Sequence, residues 1–173
     1  MKNIIATFAL ILATVGCADT RDPIDRATDF VADYEKFYAS VYTCPAGVRT
    51  IGYGCTDKDI VAKGKISKTE ALTILRKRIA EEHAWVIKTF GTNLTPSQQV
   101  ALVSAAFNIG HDGLCWKTVN GKRVRTRFYN AVMARDWSKA QRELQDWNTA
   151  GGKVLNGLKK RRAAEGKLLI CKR

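Results

Sequence analysis

Apolar residues recur at steps of three and four along most of the chain after residue 22, a spacing that predicts amphipathic helices. Asp22 followed by Pro23 is typical of a helix start, and the apolar pattern extends this first helix over residues 23–38. A capping sequence at Ser67 predicts the start of a much longer helix, in which one face stays apolar. Helices are therefore expected to form most of the structure.

A second capping sequence at Thr95 opens a helix that ends near Gly110. It is apolar on almost every face, so it is predicted to lie at the centre of the core. Residues 42–53 do not follow the helical spacing of apolar residues. There, the turn sequence 44–47 is followed by alternating strand-forming residues, which predicts a β-hairpin. Shorter helices are predicted at 124–134, 138–147 and 158–169. The pattern indicates a mostly helical α+β fold, in which a long helix joins a small hairpin lobe to a helical lobe.

The chain has 173 residues and a net charge of +13, from 29 basic and 16 acidic residues. A chain of this length buries enough surface to fold around its own core, so disulfides and metals are not needed for folding. Most of the excess positive charge lies in residues 117–173, which hold 16 basic and 4 acidic residues. Such a basic region is expected to bind a polyanion.

Residues 4–18 carry no charge and precede a polar, acidic stretch, which is typical of an export signal. Three outcomes are open for residues 1–18: a cleaved signal peptide, a lipoprotein modified at Cys17, or an anchor in the inner membrane that is later released to the periplasm. All three place residues 19–173, the predicted single domain, outside the cytoplasm. Nucleic acid is therefore not an expected partner, although residues 122–127 are strongly basic.

Three residues near the predicted hairpin are candidates for glycosidic bond cleavage. Such cleavage needs an acid to protonate the leaving oxygen and a second group that positions a water or acts as nucleophile. Glu35 is the candidate acid, and a hairpin folded over the helix end brings Cys44 and Thr50 towards it. Spacing alone does not separate these residues from an exposed Glu and an ordinary strand Thr.

The segment YEKFYASVYTCPAGVRTIGYGCT resembles the active-site segment of the phage-type lysozymes, the endolysins of glycoside hydrolase family 24. Residues 94–110 and 147–165 resemble that family's core helix and carboxyl-terminal signature. The resemblance implies a lysozyme-like fold with the active-site cleft between two lobes, and Glu35, Cys44 and Thr50 as catalytic residues. It also implies hydrolysis of the β-1,4 bond between N-acetylmuramic acid and N-acetylglucosamine in peptidoglycan, without a cofactor or metal. We expect a monomer.

Five cysteines suggest a redox switch. Similarity to the signal-anchor-release endolysins implies that a cysteine in the amino-terminal anchor frees the catalytic cysteine by disulfide exchange after release. Our hypothesis is that Cys44 is held inactive in a disulfide with Cys55, and that Cys17 then forms a disulfide with Cys55 and frees Cys44. In the alternative, Cys44 and Cys55 never pair, and Cys17 is a lipid site or is lost with the signal. The remaining two, Cys115 and Cys171, are predicted to form a structural disulfide.

Two other functions remain open at this point. The first is a non-catalytic cationic protein that binds the wall or permeabilises membranes on the same fold, and the second is a transglycosylase. The sequence also predicts that one arginine of the 161–162 pair contacts Glu35, without selecting which.

Overall fold

A computed structural model describes residues 19–44 and 47–171. The predicted anchor or signal, including Cys17, lies outside the described residues. Helix α1, Pro23–Tyr34, starts as predicted, with the Asp22 carboxylate accepting a hydrogen bond from the Ile24 N–H. It ends four residues earlier than predicted, because the chain is extended at Glu35 and then enters strand β1.

The predicted hairpin is confirmed, and it is longer on its first side than the sequence indicated. Strand β1, Tyr38–Thr43, pairs antiparallel with β2, Arg49–Gly52. The helical pattern of the sequence extends to residue 38, but pairing with β2 places Tyr38 in a strand. A short helix that was not predicted, α2 (Lys58–Ala62), follows and is capped by Asp57.

The two long helices are confirmed, including their caps. In α3, Lys68–Phe90, the Ser67 hydroxyl accepts a hydrogen bond from the Glu70 N–H. Helix α4, Pro96–Ile109, begins with a complete capping box at Thr95. It is buried along most of its length and packs against α1, α3 and the last helix, α8 (Asn156–Leu169). Helix α3 contacts β2 of the hairpin as well as α1 and α4, and so connects the hairpin lobe to the helical lobe.

The carboxyl-terminal region contains helices α5 (His111–Cys115), α6 (Arg127–Met133) and α7 (Trp137–Leu144), and a 3₁₀ turn, Gln145–Trp147. The prediction of a helix from residue 124 was wrong, since residues 124 and 125 lie in a strand. A hairpin of β3, Trp116–Val119, and β4, Lys122–Arg125, precedes α6. A smaller hairpin pairs β5, Thr149–Ala150, with β6, Lys153–Val154, before α8. The fold is thus α+β and mostly helical, as predicted.

Candidate active site

Glu35 lies directly after α1, at the junction between the helical lobe and the first hairpin. Its backbone N–H donates to the Val31 carbonyl at 3.0 Å, which ends the helix in a defined geometry. The side chain is 28% exposed, so the carboxyl is reachable from solvent. Arg161 on α8 donates from Nη1 to Glu35 Oε1 at 2.8 Å. Of the two candidate arginines, the structure therefore assigns Arg161 as the partner of Glu35.

A buried network holds the Arg161 guanidinium in place. Its Nε donates to the Ser104 hydroxyl at 3.1 Å and to Glu165 Oε1 at 3.2 Å, and its Nη2 donates to the Ser104 carbonyl. The Tyr34 ring lies 5.6 Å from the guanidinium carbon. Because Arg161 is only 3% exposed, these contacts fix the position from which it binds Glu35.

Glu165 is fully buried at the centre of this network. It accepts hydrogen bonds from Ser104 at 2.6 Å and from Arg162 Nη2 at 3.0 Å, in addition to the Arg161 contact. Burial raises the pKa of Glu165, whereas the two arginines and the serine hydroxyl oppose that shift. Sequence reasoning missed Ser104 and Glu165, although the spacing of four residues from Arg161 to Glu165 is a detectable signal.

Cys44 and Thr50 lie on the first hairpin, as the sequence predicted. The Cys44 N–H donates to the Val48 carbonyl at 2.9 Å, just beyond the last paired residue of β1. Thr50 is 4% exposed, and its hydroxyl donates to the same Val48 carbonyl at 3.0 Å. Tyr42 is the direct cross-strand partner of Thr50, so the two side chains share one face of the hairpin, and Cys44, two residues on, lies on the same side.

The electrostatics at Tyr42 connect these residues to the candidate acid. Burial raises the pKa of Tyr42, and Tyr38, Cys44 and Glu35 each add to that rise. The Tyr42 and Tyr38 rings pack with their centres 4.0 Å apart. Glu35 and Cys44 therefore both act electrostatically on the same tyrosine, which lies beside Thr50.

Cys55 carries a free thiol, so the predicted Cys44–Cys55 disulfide is not formed in this structure. The Cys55 backbone is hydrogen-bonded to Ile51 at the edge of β2 that faces away from β1. The Cys44 N–H is hydrogen-bonded to the Val48 carbonyl on the β1 side. Val48 and Ile51 are three residues apart, about 10 Å along the strand. A disulfide needs Cα atoms within about 7 Å, so this pairing requires a different hairpin conformation.

The predicted disulfide between Cys115 and Cys171 is wrong for this structure, since Cys115 is free and 3% exposed. Cys115 ends α5 and lines a pocket with Trp85 and Tyr129. Cys171 lies by a different pocket, with Trp137 and the start of α4. Burial raises the pKa of the Cys115 thiol.

The sequence and the fold of this chain are similar to those of known proteins. The family model of phage lysozyme matches residues 32–165. The chain is 36% identical to the SAR-endolysin of Haemophilus phage HP1 over 149 residues, which cover 84% of this chain and 79% of that protein. Among solved structures, the active form of the P1 phage endolysin Lyz has a TM-score of 0.73 and 27% identity, over 83% of this chain and 82% of that one. The secreted inactive form of the same endolysin has a TM-score of 0.51 and 26% identity, over 61% of this chain and 69% of that one.

Over residues 19–44 and 47–171, no helix combines the length and the apolar character needed to cross a membrane. The same ranges contain no group of three or more His, Cys, Asp or Glu side chains arranged to hold a metal ion.

Proposed function

Because the chain belongs to the phage lysozyme family, a family of peptidoglycan-degrading enzymes, we propose that it hydrolyses the β-1,4 bond between N-acetylmuramic acid and N-acetylglucosamine. Glu35 is the general acid in this proposal, and Cys44 and Thr50 position the water that attacks the sugar. The observation that carries it is the ion pair between the half-buried Glu35 and the buried Arg161. This contact fixes a carboxyl at the junction between the helical lobe and the hairpin.

The geometry of Glu35 suits proton donation to a glycosidic oxygen. Arg161 binds Oε1, and within residues 19–44 and 47–171 the other oxygen, Oε2, accepts no hydrogen bond. A substrate oxygen can therefore approach Oε2 while Arg161 keeps the carboxyl from rotating. A positioned acid of this kind contributes about a hundredfold to ten-thousandfold in rate.

Thr50 and Cys44 are suited to hold the water. The Thr50 hydroxyl donates its proton to the Val48 carbonyl, so its lone pairs remain available to accept from a water. Cys44 offers a sulfur on the same face of the hairpin. A Cys44 sulfur bound in a disulfide loses the thiol or thiolate character that this role requires, which gives oxidation a direct effect on activity.

We propose further that the hairpin of this structure has the conformation of the active form, although Cys55, which the exchange would pair with Cys17, is a free thiol here, and that the inactive, anchored form has a rearranged hairpin. Two observations support this. The chain resembles the active form of the P1 endolysin more closely than its secreted inactive form. In addition, Cys44 and Cys55 lie at opposite edges of β2, so their disulfide requires a different pairing of the strands. Release of residues 4–18 from the inner membrane, followed by exchange with Cys17, then restores the hairpin.

The proposed switch predicts opposite effects for two substitutions in the full-length, exported protein. Cys17→Ser should remain inactive after release, because it lacks the thiol that exchanges with the disulfide between Cys44 and Cys55. Cys55→Ser should be active without exchange, because the inhibitory disulfide between Cys44 and Cys55 cannot form. Equal activity of Cys17→Ser and the wild type after release contradicts the switch and leaves the hydrolase proposal standing.

The hydrolase proposal is tested by turbidity loss of purified peptidoglycan with Glu35→Gln. We expect the rate to fall about a hundredfold or more, because an amide is far too weak an acid to protonate the leaving oxygen. Glu70→Gln is the matched control, since Glu70 forms an exposed 2.6 Å ion pair with Lys63 and its loss should leave the rate unchanged. Normal clearing by a folded Glu35→Gln protein contradicts Glu35 as the acid, whereas absence of clearing by the folded wild type favours instead the non-catalytic, cationic wall-binding function.

A further inference from the structure

We propose that Arg125 is the centre of a second binding site, distinct from Glu35, for the carboxylates of peptidoglycan stem peptides. This inference rests on the proposed function, because that function supplies the substrate. The site is formed by the hairpin β3–β4 and the neighbouring faces of α3 and α6. It consists of a pocket of about 480 Å³.

Hydrogen bonds hold the two ends of the hairpin β3–β4 together where it leaves the helical lobe. The chain leaves at Cys115 and returns at Thr126, whose N–H donates to the Cys115 carbonyl at 3.0 Å and whose hydroxyl donates to the Leu114 carbonyl at 2.7 Å. Apart from Trp116 and Arg125, the paired residues of both strands are exposed. The hairpin therefore contributes little to the core, and its exposed side chains are available for binding.

The Arg125 guanidinium contacts two aromatic rings. Its guanidinium carbon lies 3.6 Å from the centre of the Trp116 ring and 4.0 Å from that of Tyr129. These two cation–π contacts restrict the orientation of the guanidinium, which reduces the entropy lost when it binds a ligand. The rings of Trp116 and Tyr129 thus pre-organise Arg125.

The N–H groups of Arg125 are not used by the protein. Within residues 19–44 and 47–171, Arg125 forms no ion pair and no hydrogen bond through its side chain, whereas Arg21, Arg127 and Arg161 all pair with acids. Asp112 also lines the pocket, but it is paired with Arg123 on the same hairpin. A fixed guanidinium with unused donors is suited to bind a carboxylate through two parallel hydrogen bonds.

The surrounding charges favour the same ligand. Residues 116–125 contain four basic residues and no acidic one. Lys88 on α3 lines the other side of the pocket, and Trp85 stacks on His111 at 3.9 Å between ring centres. A stem-peptide carboxylate held here would tether the glycan strand to the basic lobe while the strand is cut at Glu35.

The test measures binding without cleavage, using the full chain with Glu35→Gln and insoluble sacculi from a Gram-negative wall. Adding Arg125→Gln should raise the dissociation constant about tenfold, the loss expected for a charge-assisted hydrogen-bonded pair. Adding Lys88→Gln should weaken binding in the same direction. Arg142→Gln is the matched control, because it removes the same charge from an exposed position on α7 and should change the constant less than twofold.

Chemical amidation of the sacculus carboxylates should abolish the difference between the Arg125→Gln and control proteins. Equal binding by the two on untreated sacculi overturns the inference, as does a difference that survives amidation. It is also overturned if Arg125 governs binding to phosphatidylglycerol vesicles and not to sacculi. If Arg125-dependent binding is found while the wild type releases no fragments, the hydrolase proposal fails and the binding site stands.

Discussion

Replacing Glu165 by Gln isolates the contribution of the buried network behind the candidate acid. Glu165 is fully buried between Arg161 and Arg162, which are 3% and 0% exposed. The amide has nearly the same shape, but it removes the only negative charge in contact with Arg162 among the described ion pairs. The substitution therefore leaves a buried guanidinium without a counter-charge.

Breaking a buried ion pair from one side costs about 3–5 kcal/mol. A change of 1 kcal/mol shifts the melting temperature of a domain of this size by about 2–4 °C, so we expect a fall of roughly 6–20 °C. Thermal unfolding followed by circular dichroism at pH 7 measures this shift. Activity on peptidoglycan, measured well below the melting temperature, should fall as well, because Arg161 loses the buried negative charge that helps to hold it against Glu35.

The exposed pair of Lys63 and Glu70 provides the reference for this experiment. Its 2.6 Å separation is as short as any contact in the buried network, but the side chains are 51% and 37% exposed. Glu70→Gln should therefore change stability by less than about 1 kcal/mol. A melting temperature of Glu165→Gln within 2 °C of the wild type, or an equal loss in Glu70→Gln, refutes the role assigned to burial.

Three further substitutions test the hairpin and the free thiol. Thr50→Val keeps the shape of the side chain and should lower kcat at least tenfold with less than about 2 kcal/mol lost in stability, since one hydrogen bond disappears; a normal kcat contradicts its role in holding water. Gly52→Ala should destabilise the fold by about 1 kcal/mol or more in denaturant unfolding, because φ is +65° and an added Cβ lies 3.0 Å from Ile66 Cδ1, and an unchanged midpoint contradicts this. Because the pKa of the Cys115 thiol is raised in the folded state, its contribution to stability is present below about pH 9, the unfolded value, and is lost as the pH rises further. The stability advantage of the wild type over Cys115→Ala should therefore shrink between pH 8 and 10.5. Parallel curves of unfolding free energy against pH for the two proteins contradict this.

The elements predicted correctly are those that depend on neighbouring residues. Pro23, Ser67 and Thr95 mark helix starts through local capping chemistry, and all three starts are confirmed. The end of α1 was misplaced because its outcome depends on pairing with β2. The hairpin β3–β4 was missed although Asn120 followed by Gly121 is a strong sequence signal for a tight turn. In the structure both residues have positive φ, as such a two-residue turn requires.

The candidate site divides in the same way. Glu35, Cys44 and Thr50 were identified from a resemblance to known sequences, and the structure places all three around the first hairpin. The choice between Arg161 and Arg162 depends on how α8 packs, because adjacent helical residues point about 100° apart. The pairing of Cys115 was mistaken, since cysteine connectivity depends on tertiary position and not on spacing.

The most direct test of the central claim is mass spectrometry of the fragments released from purified peptidoglycan in oxygen-18 water. The wild type should release fragments with N-acetylmuramic acid reducing ends that carry one oxygen-18 atom from the attacking water. Glu35→Gln should release almost none over the same time. Anhydro-muramic ends from the wild type, or labelled reducing ends released by Glu35→Gln at the wild-type rate, contradict hydrolysis with Glu35 as the acid.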